Sequence, residues 1–128
     1  VGIWESMLIG TVGGVLCYYS VSYIRNKTNV DDALDVFAVH GVGGIWGSIA
    51  TGIFARPEMT GGISGLLYGG TNLFVGQIIA VIVTIVFCFT VSYLIIWLLS
   101  KFMRVRCTEE EERIGQDLAE HGEPAYSM

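Results

Sequence analysis

Residues Val36 to Ala55 read VFAVHGVGGIWGSIATGIFA. The run contains no Lys, Arg, Asp or Glu. At about twenty residues it is long enough to cross the roughly 30 Å hydrocarbon layer of a bilayer as a helix. One histidine, His40, sits inside it. An ionisable side chain at membrane depth costs free energy, so it ordinarily faces a partner or a water-filled path and marks a functional site.

Two further uncharged runs flank the first, Met7 to Ile24 and Thr71 to Ser100. Of the 128 residues, 52% are hydrophobic and 15% charged. With uncharged runs of this length, that balance points away from a soluble domain. The expected fold class is all-α, a polytopic membrane helix bundle with spans near residues 4–23, 36–55 and 73–102. The transmembrane region then covers residues 1–103 and a C-terminal tail covers 104–128.

Charge placement predicts orientation. Arg25 and Lys27 lie between the first two spans, and Lys101, Arg104 and Arg106 follow the third. Arg56 is the one basic residue between the second and third spans. Short loops rich in Lys and Arg stay in the cytoplasm. The N-terminus and the Arg56 loop are therefore expected outside, and the first loop and the tail inside the cell. The net charge of −5 reflects the tail, where Cys107 to Met128 carries seven acidic residues against Arg113. Such a tail argues against a nucleic-acid partner. Cys17, Cys88 and Cys107 are scattered without CxxC or metal-finger spacing, so no metal site and no resident cofactor are expected. The chain opens Val-Gly-Ile-Trp, with no initiator Met and no signal-peptide pattern, and reads as the C-terminal part of a longer protein.

Within the first span, Trp4 marks the outer interface and Tyr18, Tyr19 and Tyr23 the inner one. Gly10 and Gly14 form a GxxxG pair that lets another helix approach. Asp31, Asp32 and Asp35 precede the second span. One of them should cap its N-terminus, where a carboxylate satisfies free N–H groups and meets the positive end of the helix dipole. For Asp35, capping outweighs an effect on the His40 region. Helical spacing puts Val36, His40, Gly44, Gly47 and Thr51 on one face. That face, with one imidazole, one hydroxyl and two positions without bulk, can border a narrow path or an adjacent backbone. Residues 56–70 read as a turn-rich outer connection. The third span, at about 45 Å as a helix, exceeds the layer it crosses and must tilt or protrude. Being apolar all round, it suits a lipid-facing position. In the tail, Thr108 followed by Glu111 is a capping-box signature. It predicts a short acidic helix with Ile114 and Leu118 as its stripe, weakened at Gly115 and ended by Gly122 and Pro124.

Two segments carry a family resemblance. Asp31 to Ala55, DDALDVFAVHGVGGIWGSIATGIFA, resembles the second histidine-bearing helix of the ammonium transporters, the Amt/Mep family. Glu109 to Tyr126, EEEERIGQDLAEHGEPAY, resembles the cytoplasmic tail of the same family, in the pattern of Amt members rather than of the related Rh proteins. The resemblance implies an eleven-helix fold in the cell membrane with a cytoplasmic C-terminus, of which the three spans here are the last. It implies a homotrimer with one conduction path per subunit, and transport of ammonium or ammonia rather than enzymatic catalysis. On that resemblance His40 matches the second of two pore histidines, Val36 a pore-wall position one turn inward, and Asp35 the acid that begins the helix. Gly44 and Gly47 support the same face. Glu109, Gly115, Asp117, His121, Gly122, Glu123 and Tyr126 belong to a regulatory tail that docks on the cytoplasmic face, contacts a neighbouring subunit and in many members lies where PII-type signalling proteins bind. The first pore histidine, the external recruitment site and the aromatic gate belong to earlier helices, so this chain alone is not expected to form a complete pore.

Physical chemistry gives the histidine a reason. Stripping ammonium of its water in an apolar channel costs far more than moving neutral ammonia. A neutral imidazole donates one hydrogen bond and accepts another, so two adjacent rings can hold ammonia in line and pass a proton. The bland reading of His40 is a ring bonded to a neighbouring helix carbonyl. A reading from another class is a haem- or quinone-binding membrane anchor. That reading needs a second ligand, and Met7 lies near the wrong membrane face. A third is an interaction protein acting through its acidic tail.

Overall fold

A computed structural model describes residues 1–28, 30, 32 and 34–124. Helix α1 covers Ile3–Lys27, a π-helical turn covers Phe37–Gly41 and runs into α2, Val42–Phe54, and α3 covers Asn72–Leu99. The helices Ile3–Lys27, Phe37–Phe54 and Asn72–Leu99 are each long and apolar enough to cross a membrane. Helix α1 continues past Tyr23, and Arg25 and Lys27 in its last turn complement the negative end of its dipole. Helix α3 ends at Leu99, and the chain continues through turns in which Lys101 and Phe102 donate to the Leu98 and Leu99 carbonyls.

The chain forms two compact units, Val1–Ile85 and Val86–Met128. In the first, α1 packs against α2 along a seam of small residues. A side chain at Gly13 would meet the Trp46 ring at 3.1 Å, and one at Gly43 would meet the Cys17 sulfur at 3.2 Å. The Trp46 indole N–H crosses the seam and donates to the Ile9 carbonyl at 2.9 Å. Membrane helices associate through such close backbone approach because lipid supplies no hydrophobic force between them. Gly10 and Gly14 stay open on this chain, a Cβ at either meeting nothing within 4 Å. The α1–α2 contact is made at Gly13, where Trp46 finds a notch in the facing helix.

Ile24, Ala38, Ala50 and Ala55 are the buried apolar residues, and among the described residues no large side chain is fully buried. Many of the large apolar side chains are exposed, and α3 has no buried residue at all. That inversion fits a chain whose solvent is lipid or further helices rather than water.

Beyond α2, 3₁₀ turns at Pro57–Met59 and Leu66–Tyr68 give the connection its shape. Gly65 lies against the Ile53 carbonyl and the Ala55 N–H, leaving no space for a side chain, and donates to the Ala55 carbonyl at 2.8 Å. This contact folds the connection back on the end of α2.

In the second unit, the Lys101 ammonium lies 3.7 Å from the centre of the Trp97 ring. Helix α4 covers Glu109–Ile114. Its start is the expected capping box: the Thr108 hydroxyl accepts from the Glu111 N–H, and the Glu111 carboxylate accepts from the Thr108 N–H at 2.7 Å. Gly115 does more than weaken the helix. Its φ of 100° lies in the region that favours glycine and ends α4 there. A second, π-helical segment, Asp117–His121, follows and stops at Gly122 with φ 72°. The predicted single tail helix is therefore two short pieces, and Ile114 and Leu118 remain exposed.

Candidate functional site

The segment that carries His40 is built from its N-terminal side. The Asp32 carboxylate accepts from the Val36 N–H at 2.8 Å and from the Phe37 N–H at 3.0 Å. These are free donors at the positive end of a helix, where a carboxylate is favoured. The capping expected of Asp35 thus falls to Asp32; Asp31 lies outside the described residues. Asp35 has φ 55°, a left-handed conformation that Asp tolerates better than most residues. Its carboxylate accepts two hydrogen bonds from Arg25 at the end of α1, at 2.9 Å from Nε and 2.6 Å from the terminal nitrogen. With its side chain taken by Arg25, Asp35 contributes to the helix only its carbonyl, which accepts from the Val39 N–H at 2.9 Å. The Asp35 side chain is 17% exposed against 59% for Arg25, so the pair is shielded mainly on the acid's side.

The next turn is π-helical: the Val42 N–H reaches back five residues to the Phe37 carbonyl. Such turns are rare and often mark functional positions. The α-helical period in the sequence gives no warning of it. The Cys17 thiol, 3.5 Å from the Val39 carbonyl, donates to the same turn from α1. An apolar groove of about 490 Å³ lies between the C-terminal part of α1 and this turn, lined by Tyr19, Tyr23, Ile24, Phe37 and Val42.

His40 is exposed on this chain, as are Val36, Gly44 and Thr51, with Gly47 half-buried. A Cβ at Gly44 or Gly47 would meet nothing within 4 Å, and the Thr51 hydroxyl donates to the Gly47 carbonyl at 2.8 Å. All of these but Gly47 are therefore exposed, and this chain leaves open space at both glycines. Among the described residues, no carbonyl accepts from the His40 ring. Gly43 and Gly52 behave differently from Gly44 and Gly47. Gly43 meets Cys17, and a Cβ at Gly52 would press on the Phe74 backbone at 2.9 Å.

In the tail, Glu109 opens α4 and is exposed, Gly115 and Gly122 carry the left-handed turns, and Asp117 and His121 bound the π-helical segment. Glu123 is exposed, and Tyr126 lies outside the described residues. Arg104 donates to Glu111 at 2.7 Å. The capping N–H of Thr108 and then Arg104 hold the Glu111 carboxyl down at about 2. Arg25, Cys17 and Trp46 were not singled out from the sequence as part of this site. The one available signal was an arginine preceding an acid-rich loop, and it could not say which acid the arginine would meet.

Residues 1–126 match the Ammonium Transporter Family. The chain is 48% identical over 124 residues to the ammonium transporter of Bacillus subtilis, an alignment that covers 96% of this chain and 31% of that protein. It is 39% identical over 127 residues to ammonium transporter Amt1 of Archaeoglobus fulgidus, covering 99% of this chain and 32% of that protein. It is 41% identical over 128 residues to the ammonium transporter of Aquifex aeolicus, covering 100% of this chain and 30% of that protein. No solved structure matches. The chain belongs to the ammonium transporter family. It spans about a third of the length of these curated relatives, and its three apolar helices make it multi-pass. Neither the family nor its relatives' names point to a haem- or quinone-binding anchor.

Proposed function

We propose that this chain works as part of an ammonium-conducting membrane protein, with His40 on the wall of the conduction path and Val36 one turn inward from it. The single observation that carries this reading is the face Val36, His40, Gly44, Gly47 and Thr51. It bears an imidazole and positions without bulk, and this chain's own packing leaves it open although α1 and α2 are otherwise in close contact. Membership of the family supports ammonium as the cargo. Helices beyond this chain would close the other side of the path and bring a second imidazole beside His40. The two rings would replace the water stripped from the cargo: each donates one hydrogen bond and accepts another, so ammonia is held in line while a proton is passed.

In this reading the chain sits in the cell membrane of a homotrimer with residues 1–103 as its membrane region. The basic residues Arg25, Lys27, Lys101, Arg104 and Arg106 keep the first loop and the tail cytoplasmic. The tail, 104–128, serves regulation, and its two-piece helical structure offers a surface to a neighbouring subunit or to a PII-type signalling protein.

Replacing His40 by Ala in the full-length transporter that carries this segment tests the assignment. Initial uptake of labelled methylammonium, divided by the amount of protein in the membrane, should fall at least about a hundredfold, the lower end of what a positioned proton-transfer group ordinarily contributes. Uptake at the parental rate would remove His40 from the path.

A further inference from the structure

The Arg25–Asp35 pair raises a question that the capping of the helix does not. Asp32 alone satisfies the free N–H groups of Val36 and Phe37, so Asp35 is not needed as a cap. It nevertheless adopts a positive φ of 55° and engages Arg25 through two nitrogens. A non-glycine residue in that region costs free energy and persists only where its surroundings hold it. The two-pronged grip of a planar guanidinium on a carboxylate fixes orientation as well as distance. From Asp35 the hydrogen bonding continues upward: its carbonyl accepts from the Val39 N–H at 2.9 Å, and Val39 adjoins His40 inside the π-helical turn. The Val39 carbonyl in turn lies 3.5 Å from the Cys17 thiol of α1.

We infer that Arg25 is a positioning residue for His40: through Asp35 it locks the start of the π-helical turn to α1 and so sets where the imidazole stands on its face. The inference rests on the conduction role proposed for His40 and extends it to a residue on a different helix. The geometry distinguishes Arg25 from its neighbours. The Lys27 side chain is exposed and makes no hydrogen bond or ion pair among the described residues, whereas Arg25 ties α1 to Asp35, ten positions further along the chain. Without the pair, Asp35 is free to relax from its left-handed conformation and the turn can rewind as ordinary α-helix. Rewinding by one residue rotates each following side chain by about 100° about the axis.

The test uses the full-length transporter in native membranes, with methylammonium uptake divided by the amount of assembled protein. Arg25→Gln and Asp35→Asn should each lower the maximal rate about tenfold, less than the roughly hundredfold that a full ångström of misplacement can cost, with a smaller change in half-saturating concentration. The double variant should be no worse than either single one, because both remove one interaction. Arg25→Lys, which keeps the charge but offers one point of attachment, should recover part of the rate. In a His40→Ala background, Arg25→Gln should lower the rate no further. Additive losses from His40→Ala and Arg25→Gln would overturn the positioning role while leaving His40 in the path. An unchanged rate in Arg25→Gln would overturn it likewise. An unchanged rate in His40→Ala alone would instead defeat the conduction role, and the positioning inference with it.

Discussion

Glu5 and Arg56 meet across 51 positions of sequence: Arg56 Nε donates to Glu5 Oε1 at 2.7 Å. The Tyr68 hydroxyl donates to the same oxygen at 2.8 Å, and the Arg56 guanidinium lies 5.6 Å from the centre of the Tyr68 ring. One carboxylate thus ties the start of α1 to the end of α2 and to the connection that follows. The Glu5 side chain is only 11% exposed, and its second oxygen is buried with no hydrogen-bond partner among the described residues. Removing one partner of such a group leaves a charge without compensation, which is worse than removing both. Arg56→Ala should therefore lower the thermal unfolding midpoint of the detergent-purified transporter more than Tyr68→Phe does. The Glu5→Gln, Arg56→Gln pair should be milder than Arg56→Ala alone. Equal midpoints for Arg56→Ala and the parent would mean that the pair holds nothing together.

The capping box of the tail makes a pH prediction with a definite sign. The Glu111 carboxyl is lowered from 4.5 to about 2, first by the Thr108 N–H and then by Arg104. A depressed folded-state value means that the group's contribution is complete above 4.5 and is lost as pH falls from there toward about 2. Amide exchange across Glu109–Ile114 should stay slow near neutral pH and accelerate through that acid window. Thr108→Ala should speed exchange at neutral pH, since losing an N-cap costs about 1 kcal/mol. Arg104→Ala should move the acid transition upward. A transition at the same pH in Arg104→Ala would show that the capping N–H acts alone.

Cutting the chain after Cys107 should leave membrane insertion and oligomeric assembly intact while changing the uptake rate or its response to a regulator. The tail's internal contacts support this expectation: Arg104 with Glu111, Arg106 with Glu112 and Gln116 with Cys107 all lie within residues 104–116. The measurement is oligomeric state in detergent beside uptake in cells with and without the regulator. Unchanged uptake in both conditions would leave the tail without a regulatory part.

The three spans were legible because their signal is long and local. Uncharged runs the length of a bilayer declare a helix whatever it packs against. The capping box at Thr108 and Glu111 was legible for the same reason, since both halves lie within one turn. The π-helical turn at Phe37–Gly41 was not, because its five residues FAVHG fit an α-helix equally well. Its cause is tertiary: Asp32 and Asp35 divide the work at the helix start, and α1 supplies Arg25 and Cys17. The α1–α2 contact at Gly13 is hidden in the sequence for a related reason: the partner's shape, here the Trp46 ring, selects which small residue is approached. Asp35 as a cap was misassigned because spacing cannot separate three acids that precede one helix.

The glycines of α1 and α2 divide into two kinds, and substitution should separate them. Gly13 and Gly43 sit where a Cβ would come within 3.1 Å of Trp46 and 3.2 Å of Cys17. A larger side chain there must push the helices apart, and overpacking of this sort costs about 1–3 kcal/mol. Gly13→Leu and Gly43→Leu should therefore lower the thermal midpoint and the yield of assembled protein. Gly44 and Gly47 have open space around them on this chain, and helical spacing assigns them to the His40 face. If that face borders the conduction path, Gly47→Leu narrows the passage without straining the α1–α2 seam. It should leave the midpoint near the parental value while reducing methylammonium uptake, and Gly47→Ala should reduce uptake less. The decisive comparison is the ratio of uptake to assembled protein. If Gly47→Leu lowers both together, the glycine packs against another helix rather than facing cargo. If it lowers uptake alone, a passage runs beside the imidazole.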